Sequence, residues 1–254
     1  DAEVAGVAAE ALKKTLLMFD FFNDVVAKAK AGTLHTPEQI ATEARRLLAS
    51  PRSRPVLDHF VSQWLDLEKL QQVQKDPSLF ADFTPELRTA MKGETLALFD
   101  HVVRDGSGSI ADLFTADYTY ASDGLAAFYG LKSASGETSP VTGGRRWSLE
   151  GTGRRGLLSH ASILASQSTP QAPSPVRRGR LVRERVLCQP LPAAPPGLNL
   201  ELPPVDPTQA NRDRFKAHSD NAACAACHKM MDPIGFGFEQ FNSVGRYVPL
   251  TAQG

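Results

Sequence analysis

The sequence is short of several things at once. It holds only three cysteines in 254 residues, too few to staple a small disulfide scaffold. It has no run of 18 apolar residues, so it offers no membrane-spanning helix. It has no excess charge of either sign, with 28 Lys+Arg against 28 Asp+Glu. Generic nucleic-acid binders are usually basic, so that class is disfavoured. Strict alternation of apolar and polar residues is scarce, which argues against a large sheet. No Ser/His/Asp arrangement, phosphate loop or paired-carboxylate signature stands out, and no long repeat is evident. What remains is a globular composition, 42% hydrophobic and 22% charged, in a chain long enough to bury a real core. The chain opens Asp1-Ala2-Glu3-Val4 without an initiator Met or a basic leader, and reads as a processed or trimmed product.

Helical signals dominate what is present. Leu12, Leu16, Leu17, Phe19, Phe22, Val25 and Val26 recur at helical spacing, with Gly32 as the expected C-cap. Thr36-Pro37-Glu38-Gln39 carries the pattern of a capping box, and that helix should run to about Ser50. Pro51 and Pro55 open the next, with Val56, Phe60, Trp64 and Leu65 on one face. Thr84-Pro85-Glu86 starts a long helix that should end near Asp105-Gly106. Short segments follow at Ile110–Phe114 and Leu125–Phe128, and residues 131–155 read as a polar loop. Helical signal returns at Gly156–Gln167 and after Ser174-Pro175, where Val176, Leu181, Val182, Val186 and Leu187 form the apolar set.

Composition then shifts. Seven of the chain's 18 prolines lie between Gln189 and Pro207, a stretch that cannot be helical and favours extended geometry. The expected architecture is therefore mostly α: a helical body joined by a Pro-rich strap to a small C-terminal module, which the motif below reads as a haem module like that of c-type cytochromes. The boundaries drawn are a helical domain at 1–130, a loop and helices at 131–188 that pack on the module, a linker at 189–208, and the module at 209–254. Charge is uneven as well. Nine arginines and two acids, Glu150 and Glu184, lie between Arg145 and Arg185. Two readings of that segment stay open. It is a solvated face paired with acids of the first half, or a cationic wall facing an anionic group.

Cys224-Ala225-Ala226-Cys227-His228 is the one strong chemical motif. C-x-x-C-H marks covalent c-type haem attachment. Two thiols three residues apart share one side of a helical turn and can each form a thioether with a haem vinyl group. The adjacent His228 then offers its imidazole as the proximal iron ligand. A redox dithiol is a rival, but it normally lies in a βαβ unit. Zinc is another, with His218 as the fourth ligand to Cys224, Cys227 and His228. Downstream, Pro233 is expected to place a neighbouring carbonyl against the imidazole and to pack on the haem edge, with Ile234, Phe236, Phe238 and Phe241 as an apolar wall. The sixth ligand stays open among His160, His218, Met230, Met231 and an unligated site. For His160, a hydrogen-bonded structural role is the plain alternative. Arg177 and Arg178 are the first choices for partners of the haem propionates. Cys188 reads as a buried hydrophobe, since a disulfide would need a partner beyond the haem cysteines.

Gly156-Leu157-Leu158-Ser159-His160, Ser174-Pro175-Val176-Arg177-Arg178-Gly179, the strap, and Cys224–His228 followed by Met231-Asp232-Pro233-Ile234-Gly235-Phe236 together resemble a planctomycete-type secreted family of cytochrome-like domains of unknown function. Gln63-Trp64-Leu65 and Ala116-Asp117-Tyr118-Thr119-Tyr120 resemble the helical domain that precedes the haem-motif domain in that family. The resemblance implies an exported, envelope-associated redox role. The functional expectation is an electron-transfer protein with one covalent haem c and its iron. It is placed in the periplasm or outer envelope, beside a redox partner protein or a membrane-associated electron-transfer complex. The alternatives are an accessory or scaffold subunit of such a complex, and a haem enzyme of peroxidase or oxygenase type. An electron carrier or complex subunit is favoured over a stand-alone enzyme.

Overall fold

The helix starts read from the sequence are present and chemically capped. In the computed structural model, which describes residues 23–192, 212–215 and 222–249, the chain is mostly helical. The first elements are α1 (23–30), α2 (Pro37–Ala49), a 3₁₀ turn (Pro51–Ser53), α3 (Arg54–Trp64), α4 (Lys69–Gln72), α5 (Pro85–Arg104) and α6 (Ile110–Thr115). Then come β1 (Tyr118–Ala121), α7 (Asp123–Tyr129), β2 (Ala134–Thr138), β3 (Arg145–Ser148), a 3₁₀ turn (Leu157–Ser159) and α8 (Ala161–Ser166). Helix α9 (Pro175–Leu181) runs into a π-helical turn (Val182–Val186), and the helical turn α10 (212–215) and α11 (Ala222–Phe236) follow. The expected residues Leu12 to Phe22, most of the strap and His218 lie outside the described residues.

The chain divides into two compact units, one up to Phe60 and one from Val61 onward. In the first, the Thr36 hydroxyl accepts from the Gln39 amide at 3.2 Å while the Gln39 side chain accepts from the Thr36 amide at 3.1 Å, which completes the capping box. Lys28 and Arg46 both donate to Glu43, at 2.7 and 2.9 Å. Those bonds, Arg46 foremost, pull the Glu43 carboxyl down to about 2. Val56 and Phe60 are about half exposed (52% and 54%), contrary to the expected apolar face. The buried positions of this stretch are Val61 and Leu65, four apart, a phase that leaves Val56 and Phe60 outside it.

In the second unit, α5 is the central helix. Its N-cap Thr84 accepts from Leu87, and Met91, Leu98, Phe99 and Val102 are buried along it. A core of Leu70, Met91, Leu125, Tyr129, Trp147, Leu149, Ala161 and Ala165 draws on α4, α5, α7, β3 and α8. The polar loop expected at 131–155 instead carries two of the three strands of a small sheet. Strand order is β1-β3-β2, all antiparallel, with Tyr118 opposite Ser148 and Ala121 opposite Arg145. The reason it escapes a periodicity reading is plain. All five residues of β2 are exposed, and Trp147 is the one buried residue of β3. The strand pair closes through a 139–144 turn in which the Ser139 amide donates to the Gly144 carbonyl at 2.8 Å and Gly143 takes φ +70°.

The π turn has its own consequence. One extra residue per turn rotates the apolar phase, with the Leu187 amide reaching back five residues to Val182 at 3.0 Å. Leu187 is therefore 48% exposed, and Cys188 follows it at the surface with φ +52°. The expectation of a buried Cys188 is corrected by that phase change and by the left-handed backbone that ends the helix.

Helices α9 and α11 cross in close contact, and two glycines permit it. A Cβ at Gly179 would lie 2.0 Å from the Met231 carbonyl oxygen, and one at Gly235 would lie 1.9 Å from the Pro175 carbonyl oxygen. Both obstacles are backbone, which cannot swing aside. Gly235→Ala should therefore destabilise the second unit by about 1–3 kcal/mol in urea melts, with Gly237→Ala, whose nearest neighbour would lie at 3.1 Å, costing less.

Candidate functional site

Helix α11 brings the motif residues to one turn. Cys224 and Cys227 are three residues apart on it, half-buried, and neither is in a disulfide. His228 is buried, and its Nδ1 lies 2.9 Å from Asp232 Oδ2. The two residues are four apart on the same helix, so the helical repeat itself stacks the carboxylate on the ring. Asp232 was not among the residues singled out from the sequence. Its spacing of four from His228 is the signal the sequence carries for it. A carboxylate at Nδ1 keeps a proton there and directs Nε2 as the metal-facing nitrogen, the usual support for a ligating histidine. The donor set fits covalent haem: two free thiols at the required spacing, and an adjacent imidazole whose ring is oriented through its other nitrogen. Among the described residues no group of three or more His, Cys, Asp and Glu is gathered as a metal site.

The other expected residues are distributed as follows. Pro233 lies exposed inside α11, and Met231 is buried on the side facing α9. Ile234, Phe236 and Phe238 are half-buried. Phe241 is buried against Tyr247, ring centroids 5.6 Å apart, and under the Arg154 guanidinium at 5.0 Å. Arg177 is exposed and gives Nη1 to the Ser168 carbonyl at 3.3 Å.

Arg178 is buried, 2% exposed. Its Nη1 donates to the carbonyls of Phe238 and Phe241 at 2.8 and 2.7 Å, and its Nη2 to Asn242 O at 2.7 Å and Ser168 Oγ at 2.9 Å. Two more cations do similar work, Arg154 buried and Lys75 half-buried. Arg154 donates to Ser159 O at 2.6 Å and to Gly245 O, and its guanidinium lies 3.7 Å from the Tyr129 ring centroid. Lys75 donates to Ala165 O, Thr169 O and Ser243 Oγ at 3.0, 3.0 and 3.1 Å. Together they tie residues 238–245, just beyond the motif helix, to α8 and its flanks. Some arginines of the 145–185 segment do pair with acids, Arg145 with Asp123 at 2.6 Å and Arg146 with Glu137 at 2.9 Å, but these acids are neighbours in the sheet region.

His160 sits in a second buried polar group. Its Nδ1 lies 3.1 Å from Thr95 Oγ1, which also meets Ser162 Oγ at 2.6 Å. Its Nε2 has no hydrogen-bond partner among the described residues and lies 3.7 Å from Glu94 Oε1. Glu94 accepts from Thr119 at 2.8 Å and from the Tyr129 hydroxyl at 2.6 Å, and that hydroxyl accepts from the Ala161 amide at 2.8 Å. Burial lowers the His160 pKa, opposed by Glu94 and aided by Arg154, so the imidazole is neutral at pH 7. Glu94, Tyr129 and Arg154 drew no notice in the sequence because each is polar and isolated along the chain.

Two domain families match. Residues 23–131 match PSD4, a protein of unknown function (DUF1592), and residues 154–249 match PSCyt3, a protein of unknown function (DUF1588). Both names fit the resemblance to planctomycete cytochrome-like families. No curated protein and no solved structure matches the chain. No helix among the described residues is long and apolar enough to cross a membrane.

Arg178 and Lys75 are each open to test by substitution. Arg178→Met strands the carbonyls of Phe238, Phe241 and Asn242, and should cost about 3 kcal/mol or more in urea melts. Arg178→Lys should recover little of it, because one ammonium cannot span both sets of acceptors. Burial, then the charges of Arg178, Arg177 and Lys69, lower Lys75 to about 7. Between that value and the ordinary lysine range the unfolded chain holds a proton that the folded chain has released, so this group adds stability as pH rises from 7 to 10 and loses it on the way back. Urea melts across that range should show the rise in wild type and a flatter profile in Lys75→Met.

Proposed function

We propose that this chain is a c-type cytochrome-like electron-transfer protein that carries one covalently attached haem. Cys224 and Cys227 form the thioethers and His228 is the proximal ligand. The observation that carries the reading is the joint placement of these three residues on one turn of α11, with Asp232 2.9 Å from His228 Nδ1. When bound, haem iron supplies one-electron oxidation and reduction. The chain's own part is positional. Asp232 holds the Nδ1 proton and sets the ring plane, α9 buttresses α11 from behind, and Arg178 fixes the segment that leaves α11. The cytochrome-like family names support the same class. With this reading goes an exported location, in the periplasm or outer envelope, and a redox partner protein or membrane-associated complex to exchange electrons with. The PSD4-like region, residues 23–131, precedes the motif and favours a further role as a subunit of such a complex.

The test is chemical. The full chain, exported from a host able to attach haem c, should gain the mass of one haem and give a c-type band in its pyridine haemochrome spectrum. The double variant Cys224→Ala/Cys227→Ala should lose the covalent increment, and His228→Ala should alter the axial-ligand spectrum. Protein that is purified folded and iron-free from that host, or that binds one zinc in place of haem, would overturn the proposal.

A further inference from the structure

Four cations from separate parts of the chain converge on one short stretch, residues 164–169, at the carbonyl end of α8. Lys69 Nζ reaches Gln167 Oε1 at 3.3 Å, and Lys75 Nζ reaches the carbonyls of Ala165 and Thr169. Arg177 Nη1 meets Ser168 O at 3.3 Å, and Arg178 Nη2 meets Leu164 O at 3.3 Å and Ser168 Oγ at 2.9 Å. Every one of these acceptors is neutral. Among the described residues none of the four cations forms an ion pair, whereas Arg145, Arg146, Arg180 and Arg246 each pair with a carboxylate. Asp66 bears on Lys69 from a distance, and the charges that bear on Lys75 are Arg178, Arg177 and Lys69, all of them positive. A cluster of like charges that is partly withdrawn from water is unfavourable unless an anion balances it.

The donors divide by depth. Lys75 uses its three ammonium hydrogens on protein oxygens, and Arg178 is wholly internal. Lys69 is half-buried and Arg177 exposed, and each spends one donor on a neutral oxygen. Lys69 thus retains two ammonium hydrogens and Arg177 most of its fork, directed from two helices at adjacent residues, 167 and 168. A fork beside a point charge is the pairing that recognises a tetrahedral oxyanion.

We propose that Lys69 and Arg177 form a binding site for a tetrahedral dianion of the phosphate class, with Lys75 and Arg178 supplying positive charge from behind. The site is independent of haem attachment. A dianion suits it better than a single carboxylate, because more than one positive charge is uncompensated. Binding should also be linked to protons. Burial, and after it the charges of Arg178, Arg177 and Lys69, hold Lys75 low in the lysine range, and an anion beside them relieves the second of these. Binding then takes up a proton and tightens as pH falls through neutrality.

Sulfate is the suitable probe, since it is a tetrahedral dianion that does not titrate in this range. Calorimetric titration of the full chain, against chloride at matched ionic strength, should show saturable binding at one site. Lys69→Gln/Arg177→Gln should weaken it about tenfold or more, while Arg145→Gln, which removes an arginine of the same segment already paired with Asp123, should leave it unchanged. Lys69 is half-buried and Arg177 exposed, so circular dichroism and urea melts should report a retained fold in the double variant. Affinity should fall between pH 6 and pH 8.5 in wild type. Absence of saturable binding, binding that survives the double substitution, equal weakening by Arg145→Gln, or affinity that does not change with pH would each overturn the proposal.

Discussion

The guanidinium of Arg178 is the interaction on which the second unit depends. It is buried, it has no carboxylate partner among the described residues, and it holds the carbonyls of Phe238, Phe241 and Asn242 to the stretch that ends α8. A buried ion is usually compensated by an opposite charge. Here several carbonyl dipoles do the work, and a planar fork with five donors is the side chain able to satisfy them together. Arg154 repeats the device on the Gly245 carbonyl, and Lys75 on the carbonyls of Ala165 and Thr169, with the Ser243 hydroxyl as a third acceptor. Carbonyl oxygens are supplied by any residue, so this arrangement places almost no constraint on the sequence of the segment it secures.

That constraint reaches the motif helix directly. Residues 238–245 leave α11 within a few positions of His228 and Asp232, and the helix itself lies on α9 through Gly179 and Gly235. Helix α11 is thus held along one side by backbone contact and at its end by Arg178. Such support gives a ligating imidazole a fixed direction, and the Asp232 carboxylate sets the ring about that direction. The same cations leave a positive field around residues 164–169, so one feature that stabilises the fold also creates a surface with unbalanced charge.

Much of the helical order was legible beforehand. Thr36-Pro37-Glu38-Gln39 and Thr84-Pro85-Glu86 start helices because a hydroxyl, a fixed φ and an acid each act within one turn. The C-x-x-C-H spacing is local in the same way, since Cys224, Cys227 and His228 lie within five residues of chain and so on neighbouring positions of one helix. The small sheet was not, because β2 buries nothing and leaves no period to read. The exposure of Leu187 and Cys188 was not, because it turns on a π turn that shifts the phase by one residue. Val56 and Phe60 share their helix's spacing with residues that are buried, and only packing separates them.

Three cysteines, balanced charge and the lack of a long apolar run bounded the class of protein, and five consecutive residues carry the chemistry proposed for it. Those properties are local, and short-range physics governs them. The tertiary structure alone decided which polar residues are internal. Glu94, Tyr129 and His160 meet across separations of 31 to 66 residues, and Arg178 reaches carbonyls about 60 residues away. Nothing in the spacing of such residues foretells the meeting, because a buried polar side chain is selected by the partners that surround it, and those are fixed only when the chain has folded.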